Sequence, residues 1–317
     1  MRPKVLINKP IPSYVEDYIG QYCDYEICNS NENWLEKLHD IDGLLNSGAK
    51  IDNSLLGRAP NLKVVSNIAV GYNNFDISAM KERNIIGTNT PGVLNDTVAD
   101  LIFALILASA RKVPLLDKYV RDGKWNGMDH EIVFGKDVHH ATLGIIGMGR
   151  IGEDVAKRAR YGFDMDVLYY NRSRKIEAEE KLGVKYEEMN SLLRKSDFIL
   201  VMTSLTDETY HMIDEEQFNM MKEDAIFINA SRGSTVNEKA LIKALKEKKI
   251  LGAGLDVFEQ EPMDKDNELL SLDNVVLLPH IGSATKKTRS DMAMLAAKNL
   301  IIALQGEIPP NIVPELK

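Results

Sequence analysis

The sequence predicts an α/β fold with two doubly wound, Rossmann-like parallel-sheet domains. Three observations indicate this fold class. Short apolar segments alternate with helical patterns through the first hundred residues. The same alternation restarts near residue 141 and continues to residue 280. The chain also has 317 residues, which is enough for two separate hydrophobic cores.

The first domain opens with three predicted strands, at Lys4–Asn8, Asp42–Ser47 and Lys63–Ala69. The segment NENWLEKLHD, residues 31–40, predicts a helix between the first two strands. Residues Asn95–Lys112 then predict one long helix. Because its apolar residues cover almost the whole circumference, this helix is expected to be buried between layers of secondary structure.

Between residues 113 and 141 the periodicity weakens, and the segments RDGKWNG and DHEIVFGKDVHH predict loops or an arm. The second domain follows, with predicted helices at 150–162 and 237–249. Its predicted strands lie at 141–149, 165–170, 196–202, 224–230, 250–257 and 274–280. A closing helix over 283–305 precedes a proline-rich tail and has no strand after it. Spacing alone leaves open whether this helix returns to the first domain.

Composition excludes several classes of function. The net charge of −8 argues against a general nucleic-acid-binding protein, which needs basic surface to neutralise phosphates. The two cysteines, Cys23 and Cys28, form neither a disulfide framework nor a Cys/His metal pattern. The longest apolar run, Leu101–Ala108, is far shorter than the roughly 20 residues that span a bilayer. With no predicted signal peptide, a cytoplasmic protein is expected.

A glycine-rich turn predicts a dinucleotide site. The residues Gly147, Met148, Gly149, Arg150, Ile151 and Gly152 fit the pattern G-x-G-x-x-G. The pattern alone is weak, but here it follows a predicted strand and opens a predicted helix. In that context the glycines allow a tight turn, close approach of a pyrophosphate, and close packing of helix on strand.

The turn after the next strand indicates which nucleotide binds. About 20 residues beyond the glycines, a site for NAD usually has an acid that binds the ribose hydroxyls. This chain has Asn171 there, followed by Arg172, Ser173 and Arg174. Asparagine removes the repulsion of a 2′-phosphate, and arginine can bind phosphate with two hydrogen bonds. A preference for NADPH over NADH is therefore predicted, with a solvated basic turn as the alternative.

Three chargeable residues follow predicted strand ends in the second domain: Arg232, Glu261 and His280. Ligands of open α/β sheets bind outside the carboxyl ends of strands, so these side chains can converge in one crevice. They are the candidate catalytic residues, and the alternative is a structural charge cluster.

Five segments of the sequence occur in the order and spacing of a known family: DTVADLIFALILASAR, GIIGMGRIG, NASRGSTVNEKALIKAL, GAGLDVFEQEP and LLPHIGSAT. Together they resemble the D-2-hydroxyacid dehydrogenase family over nearly the whole chain. The segments NIAVGYNNFD, NRSR and LPHIGSAT look most like its glyoxylate/hydroxypyruvate reductase branch.

The resemblance implies a role for each candidate residue. Arg232 would hold the substrate carboxylate and polarise the keto oxygen, His280 would donate a proton to that oxygen, and Glu261 would orient His280 and favour its charged form. Backbone amides near Val70 and Gly71 would also bind the carboxylate. The implied cofactor contacts beyond the glycine and arginine turns are Thr203, Ser204, Thr209, Ala230, Ser231, Asp256 and Ser283. The segment MTSLTDET (202–209) departs from the family's usual Leu-Pro pair, so modestly changed cofactor contacts are expected there.

The resemblance also implies the domain organisation. Residues 1–96 with 284–317 would form a discontinuous substrate-binding domain, and residues 97–283 the dinucleotide-binding domain, with the active site in a cleft between them. A homodimer is expected through the arm around Tyr119–Trp125, with no metal.

The expected function is NADPH-dependent reduction of glyoxylate or hydroxypyruvate to the D-2-hydroxy acid, glycolate or D-glycerate. A 2-ketogluconate reductase of the same family is an alternative, because the sugar-acid reductases resemble the same branch. A second alternative is a scaffold that senses nicotinamide nucleotides, as the corepressors resembling this family do.

Overall fold

The computed structural model describes residues 2–29, 33–127 and 131–317. The chain divides into two compact units. The first unit comprises Met1–Leu94 with Ser283–Lys317, and the second comprises Asn95–Gly282. Each unit contains a parallel sheet with helices, so the predicted fold class is confirmed.

Among the described residues, the first unit has one five-stranded parallel sheet, in the order β2-β1-β3-β4-β5. The strands are β1 (Lys4–Ile7), β2 (Asp24–Ile27), β3 (Gly43–Asn46), β4 (Val64–Asn67) and β5 (Ile86–Thr88). The helices are α1 (Ser13–Tyr22), α2 (Asn53–Gly57), α3 (Ile77–Glu82) and α11 (Lys286–Leu304), with short 3-10 helices at Trp34–Asp40 and Pro314–Leu316.

Both faces of this sheet are covered, which is why its central strands are mostly apolar and buried. Val5 and Ile7 of β1 point to the face that carries α1 and α11, and Leu6 points to the face that carries α2 and α3. The Ser66 hydroxyl on β4 donates to the carbonyl of Ala296 at 2.8 Å. The closing helix α11 thus packs on the first sheet, which spacing along the chain had left open.

Among the described residues, the second unit has a seven-stranded parallel sheet in the order β12-β11-β10-β9-β6-β7-β8. The strands are β6 (Thr142–Ile146), β7 (Asp166–Tyr170), β8 (Lys185–Tyr186), β9 (Phe198–Val201), β10 (Ile226–Asn229), β11 (Gly252–Leu255) and β12 (Val275–Leu277). The helices are α4 (Asn95–Ala110), α5 (Val113–Arg121), α6 (Arg150–Phe163), α7 (Ile176–Leu182), α8 (Met189–Lys195), α9 (Glu215–Met220) and α10 (Glu238–Lys246), with 3-10 helices at Glu131–Val133, Gly233–Thr235 and Glu268–Ser271.

The strand order of the second unit reverses direction at one place. The chain runs outward from β6 through β7 to β8, then crosses back to β9 on the other side of β6. Such a switch point leaves a crevice at the carboxyl ends of the two flanking strands, where doubly wound proteins bind ligands.

The sequence missed several elements. It predicted one helix between its first two strands, whereas the structure has α1 and β2 there, followed by a 3-10 helix at Trp34–Asp40. Asn31 and Glu32 of that predicted helix lie outside the described residues. Strand β2 was not predicted because it is an edge strand with exposed polar positions. The weakly patterned region after residue 112 contains helix α5, whose side chains are not buried, while residues 128–130 lie outside the described part.

No described helix has the combination of length and apolar character needed to cross a bilayer.

Candidate active site

The glycine-rich turn joins β6 to α6 at the switch point. Gly147 has a φ of +104°, and a Cβ there would lie 2.7 Å from the carbonyl carbon of Met202, just after β9. A Cβ at Gly152 would lie 2.8 Å from the Gly147 carbonyl oxygen. At Gly149, in contrast, a Cβ would meet no atom within 4 Å. Two glycines therefore serve packing, while the third keeps space open beside the first turn of α6.

That open space fits a nicotinamide dinucleotide. Gly149 precedes the helix without a side-chain cap, so the first N–H groups of α6 remain available to an anion. The helix N-terminus also carries partial positive charge, which favours a pyrophosphate. The neighbouring residues Met148 and Ile151 are buried or half-buried, and Arg150 is exposed at the rim.

The turn after β7 lies against the glycine turn. The backbone N–H of Met148 donates to Asn171 Oδ1 at 3.0 Å, so Asn171 braces the glycine turn. Arg172, Ser173 and Arg174 are exposed. Arg174 forms an ion pair with Glu179, and its guanidinium lies 5.8 Å from the ring centroid of Tyr186. The sequence did not reveal either the bracing role of Asn171 or the partner of Arg174.

Two further loops follow β9 and β10 at the same edge. The Thr209 hydroxyl donates to the Ser204 carbonyl at 2.6 Å and closes the first of these loops, next to half-buried Thr203. In the second loop, Asn229 Oδ1 accepts from both the backbone N–H and the hydroxyl of Ser231, at 3.1 and 2.9 Å. Ala230 is half-buried between them. The Thr209 and Ser231 hydroxyls therefore shape their loops through internal hydrogen bonds.

The structure brings the three candidate catalytic residues to one region of the second unit. His280 Nδ1 lies 2.6 Å from Glu261 Oε2, and the backbone N–H of Phe258 donates to Glu261 Oε1 at 3.0 Å. Arg232 is half-buried and its charge acts on Glu261. Burial raises the pKa of Glu261, but the hydrogen bonds from His280 and Phe258 and the nearby positive charges outweigh burial and hold the pKa below its ordinary value.

An ionised Glu261 determines which nitrogen of His280 carries hydrogen. A carboxylate accepts hydrogen bonds and donates none, so Nδ1 of His280 must carry the proton in their contact. Nε2 is then the nitrogen that can gain and release a proton. For Arg232, burial lowers the pKa and the charge of Glu261 opposes that shift, but a guanidinium stays charged in either case.

Asp256 fixes the segment that follows His280. Its carboxylate accepts from the backbone N–H groups of Ile281 at 2.7 Å and Gly282 at 2.8 Å. Burial raises the pKa of Asp256, although these two hydrogen bonds oppose the rise. Ser283, the next residue, is half-buried and begins the part of the chain that belongs to the first unit.

Beside the candidate residues, Gly233 makes a close backbone contact that sequence reasoning missed. A Cβ there would lie 1.8 Å from the carbonyl carbon of Phe258 and 2.4 Å from the nitrogen of Glu259. The backbone after Arg232 therefore touches the backbone of the loop that carries Glu261. The signal in the sequence was a glycine directly after the candidate arginine. The reason for a glycine there becomes apparent only when the positions of both loops are known.

In the first unit, Val70 and Gly71 lie on a half-buried loop after β4. Asn89 Nδ2 donates to the Val70 carbonyl at 2.7 Å. The other end of the loop is held through Asn74 Oδ1, which accepts from Asn67 Nδ2 at 2.8 Å. Side-chain amides thus fix this loop at both ends.

The asparagine contacts continue across the sheet. Asn46 Nδ2 donates to Asn67 Oδ1 at 2.8 Å, and Asn46 Oδ1 accepts from Asn8 Nδ2 at 2.7 Å. These residues lie at the carboxyl ends of β1, β3 and β4 and are almost fully buried. Since the order of this sheet reverses between β1 and β3, the chain of amides crosses the switch point of the first unit.

Comparison with known proteins gives consistent results. Residues 103–282 match the family described as D-isomer specific 2-hydroxyacid dehydrogenase, NAD binding domain. The chain is 49% identical over 323 residues to a glyoxylate reductase of Thermococcus litoralis, covering 99% of this chain and 97% of that protein. It is also 49% identical over 309 residues to a probable 2-ketogluconate reductase of Dictyostelium discoideum, covering 97% and 92% of the two chains.

Among solved structures, the chain is similar to the NADPH-dependent glyoxylate/hydroxypyruvate reductase of Sinorhizobium meliloti in complex with NADP and malonate. The TM-score is 0.90 and the identity is 31%, over 100% of this chain and 98% of that chain. These matches confirm the family predicted from the sequence segments. The chain belongs to the D-isomer specific 2-hydroxyacid dehydrogenase family, and it is an oxidoreductase with a nicotinamide-cofactor-binding domain.

Proposed function

We propose that this chain catalyses the NADPH-dependent reduction of glyoxylate or hydroxypyruvate to glycolate or D-glycerate. The observation that carries the proposal is the 2.6 Å contact between His280 and an ionised Glu261, with the charge of Arg232 beside them. A proton donor held by a carboxylate, next to a fixed positive charge, suits reduction of a keto group next to a carboxylate. The relatives named as glyoxylate reductases support the choice of substrate.

Each catalytic side chain has a separate task in this proposal. When bound, the nicotinamide supplies a hydride to the 2-keto carbon. Arg232 binds the substrate carboxylate and polarises the keto oxygen. His280 releases the proton on Nε2 to that oxygen as it becomes negative, while Glu261 holds Nδ1 and stabilises the charged ring. Backbone N–H groups near Val70 and Gly71, on the amide-braced loop, would add donors for the carboxylate.

The proposed cofactor site follows the carboxyl ends of six strands. The turn from Gly147 to Gly152 would hold the pyrophosphate, and Asn171 leaves room for a 2′-phosphate that the following basic turn neutralises. The remaining proposed contacts are Thr203, Ser204, Thr209, Ala230, Ser231, Asp256 and Ser283.

A second substrate is favoured by one of the comparisons. The similarity to a probable 2-ketogluconate reductase makes a longer sugar acid the alternative substrate. The distal end of the substrate is expected near Asn46–Gly48 and Leu94. In the structure Leu94 and the Asn46 side chain are buried, whereas Ser47 is half-buried and Gly48 is exposed, so the latter two are the candidate contacts for a longer acid.

One set of measurements tests the proposal. Values of kcat/KM for glyoxylate, hydroxypyruvate and 2-ketogluconate should be determined with NADPH and with NADH, using His280→Ala as the inactive control. The proposal expects a small keto acid with NADPH to give the highest value. If no keto acid causes NADPH oxidation, the chain is better explained as a nucleotide-sensing scaffold.

A homodimer is also part of the proposal. Helix α5 exposes apolar side chains, with Val120 53% and Trp125 of the following loop 67% exposed. Exposed apolar groups of this kind are typical of subunit interfaces. Sedimentation of the wild type and of Val120→Asp should give a dimer and a shift toward monomer; a monomeric wild type would contradict this assembly.

A further inference from the structure

The two arginines of the turn after β7 have different surroundings. Arg174 Nε donates to Glu179 Oε1 at 3.1 Å, and its Nη2 donates to Glu179 Oε2 at 2.5 Å. Arg172 is exposed, and among the described residues it has no hydrogen-bond or ion-pair partner. The turn therefore presents one held arginine and one that is available to a ligand.

Glu179 is itself held from a second side. The Tyr169 hydroxyl donates to Glu179 Oε1 at 2.6 Å and accepts from the backbone N–H of Lys175 at 2.7 Å. Tyr169 is fully buried in β7. The clasp formed by Tyr169, Arg174 and Glu179 therefore ties the end of the arginine turn to its strand and to helix α7.

Releasing Arg174 to a ligand would leave Glu179 in an unfavourable state. The Glu179 side chain is 17% exposed, whereas that of Arg174 is 57% exposed. The hydrogen bond from Arg174 is the largest of the effects that lower the pKa of Glu179. Without this partner the carboxylate would be a half-buried charge with one neutral donor, which is less favourable than the paired state.

Arg172 has no such constraint. Its charge acts on Glu208 of the loop after β9, but the lowered pKa of Glu208 depends mainly on the hydrogen bond from the Thr206 hydroxyl. Glu208 thus keeps its main partner when Arg172 moves toward an anion. A phosphate can bind Arg172 without breaking a hydrogen bond of the folded chain.

We infer that Arg172 is the ligand of the cofactor 2′-phosphate, and that Arg174 is a positioning residue which Glu179 and Tyr169 hold so that the turn presents Arg172. This inference rests on the proposed preference for NADPH and assigns that preference to the clasp. Glu179 then favours NADPH binding, although it is an acid close to a phosphate site.

The decisive variant is Glu179→Gln, because the two roles of Arg174 predict opposite signs. Glutamine keeps the size of the side chain but loses the charge that holds Arg174. If Arg174 positions the turn, KM for NADPH should rise about fivefold, with a much smaller change for NADH, since a partly exposed ion pair contributes up to about this much. A KM for NADPH that falls or stays at the wild-type value overturns the inference.

Glu180→Gln is the matched control, because Glu180 is the neighbouring exposed acid on α7 and its substitution removes the same charge. It should leave the ratio of the two KM values at its wild-type level. Tyr169→Phe covers the case in which Glu179→Gln does not fold. It removes only the hydroxyl of the clasp, and it should raise KM for NADPH about threefold with NADH affected less; equal effects on both cofactors overturn the inference.

Calorimetric titration with 2′,5′-ADP and 5′-AMP separates this inference from the proposed function. Wild-type protein that binds both equally would refute the NADPH preference itself, whatever the variants do. If the wild type prefers 2′,5′-ADP, Arg172→Gln should weaken its binding more than Arg174→Gln does. Arg174→Gln and Glu179→Gln should be non-additive, because both break one clasp; additive losses would show that the two residues act separately and would overturn the inference.

Discussion

Replacing Gly233 by alanine tests whether backbone contact between two loops assembles the catalytic residues. A Cβ at this position would lie 1.8 Å from the Phe258 carbonyl carbon and 1.9 Å from its oxygen. Carbon atoms in contact prefer separations of about 3.5–4.0 Å, so the two backbones must move apart by about 1.5–2 Å. Gly233 directly follows Arg232, and Phe258 donates to Glu261. The displacement therefore separates Arg232, the proposed substrate-binding arginine, from the carboxylate of Glu261 that contacts His280.

A misplacement of about 1 Å in an active site can cost about 100-fold in rate. We expect Gly233→Ala to lower kcat by at least about that factor and to destabilise the fold by about 1–3 kcal/mol, as overpacking does. NADPH oxidation measures the first effect and urea unfolding the second. Binding of 2′,5′-ADP should stay close to that of the wild type, because the glycine and arginine turns lie elsewhere along the sheet edge.

Gly162→Ala is the matched control. Gly162 lies inside α6, and a Cβ there would meet no atom within 4 Å. Alanine in a helix is favoured over glycine by about 0.5–1 kcal/mol, so this variant should be slightly more stable and fully active. Wild-type kcat and stability for Gly233→Ala would show that the loops do not depend on this contact, and the account of the site would be wrong.

Other substitutions test the remaining parts of the site. Arg232→Ala should lose most turnover, about 100-fold or more, because it removes carboxylate binding and carbonyl polarisation together; near-native rates would exclude it from the mechanism. Burial raises the pKa of Glu261, but its hydrogen bonds and the nearby charges lower the pKa more, so the folded-state pKa lies below the ordinary value. The ionised carboxylate therefore stabilises the fold at pH values above the ordinary pKa. This stabilisation is lost as the pH falls through the lowered, folded-state pKa. Urea unfolding should accordingly show that Glu261→Gln destabilises the protein more at pH 7 than at about pH 3, and a pH-independent difference would contradict this. Asn46→Ala breaks four hydrogen bonds and removes the acceptor of both the buried Asn8 amide and the Ala49 N–H, although Asn74 Nδ2 still donates to the Ala49 carbonyl and to Asn67 Oδ1. It should cost about 2–4 kcal/mol, against less than about 0.5 kcal/mol for exposed Asn61→Ala. Gly149→Ala should leave stability unchanged but weaken NADPH binding about tenfold or more, because its Cβ would enter the open space in which we propose that the pyrophosphate binds; unchanged affinity would place the cofactor elsewhere.

The sequence by itself determined the fold class and the family. Strands buried on both faces are mostly apolar, so the apolar runs at 5–7 and Phe198–Val201 could be predicted without a structure. Long buried helices such as α4 were readable for the same reason. The glycine turn was also readable, because its function depends on local backbone conformation within a few residues. Elements with weak apolar patterns, such as β2 and α5, were missed because little of their surface is buried.

Contacts between residues far apart in the chain were decided only by the tertiary structure. No pattern in the sequence indicates that Gly233 touches Phe258, that Asn171 braces Met148, or that buried amides join three strand ends. Each of these contacts depends on how loops from different strands meet at one sheet edge, and no local pattern encodes that meeting. The arginine turn illustrates both levels. Its charge was visible in the sequence, but the partner that holds Arg174 was revealed only once helix α7 placed Glu179 within hydrogen-bonding distance.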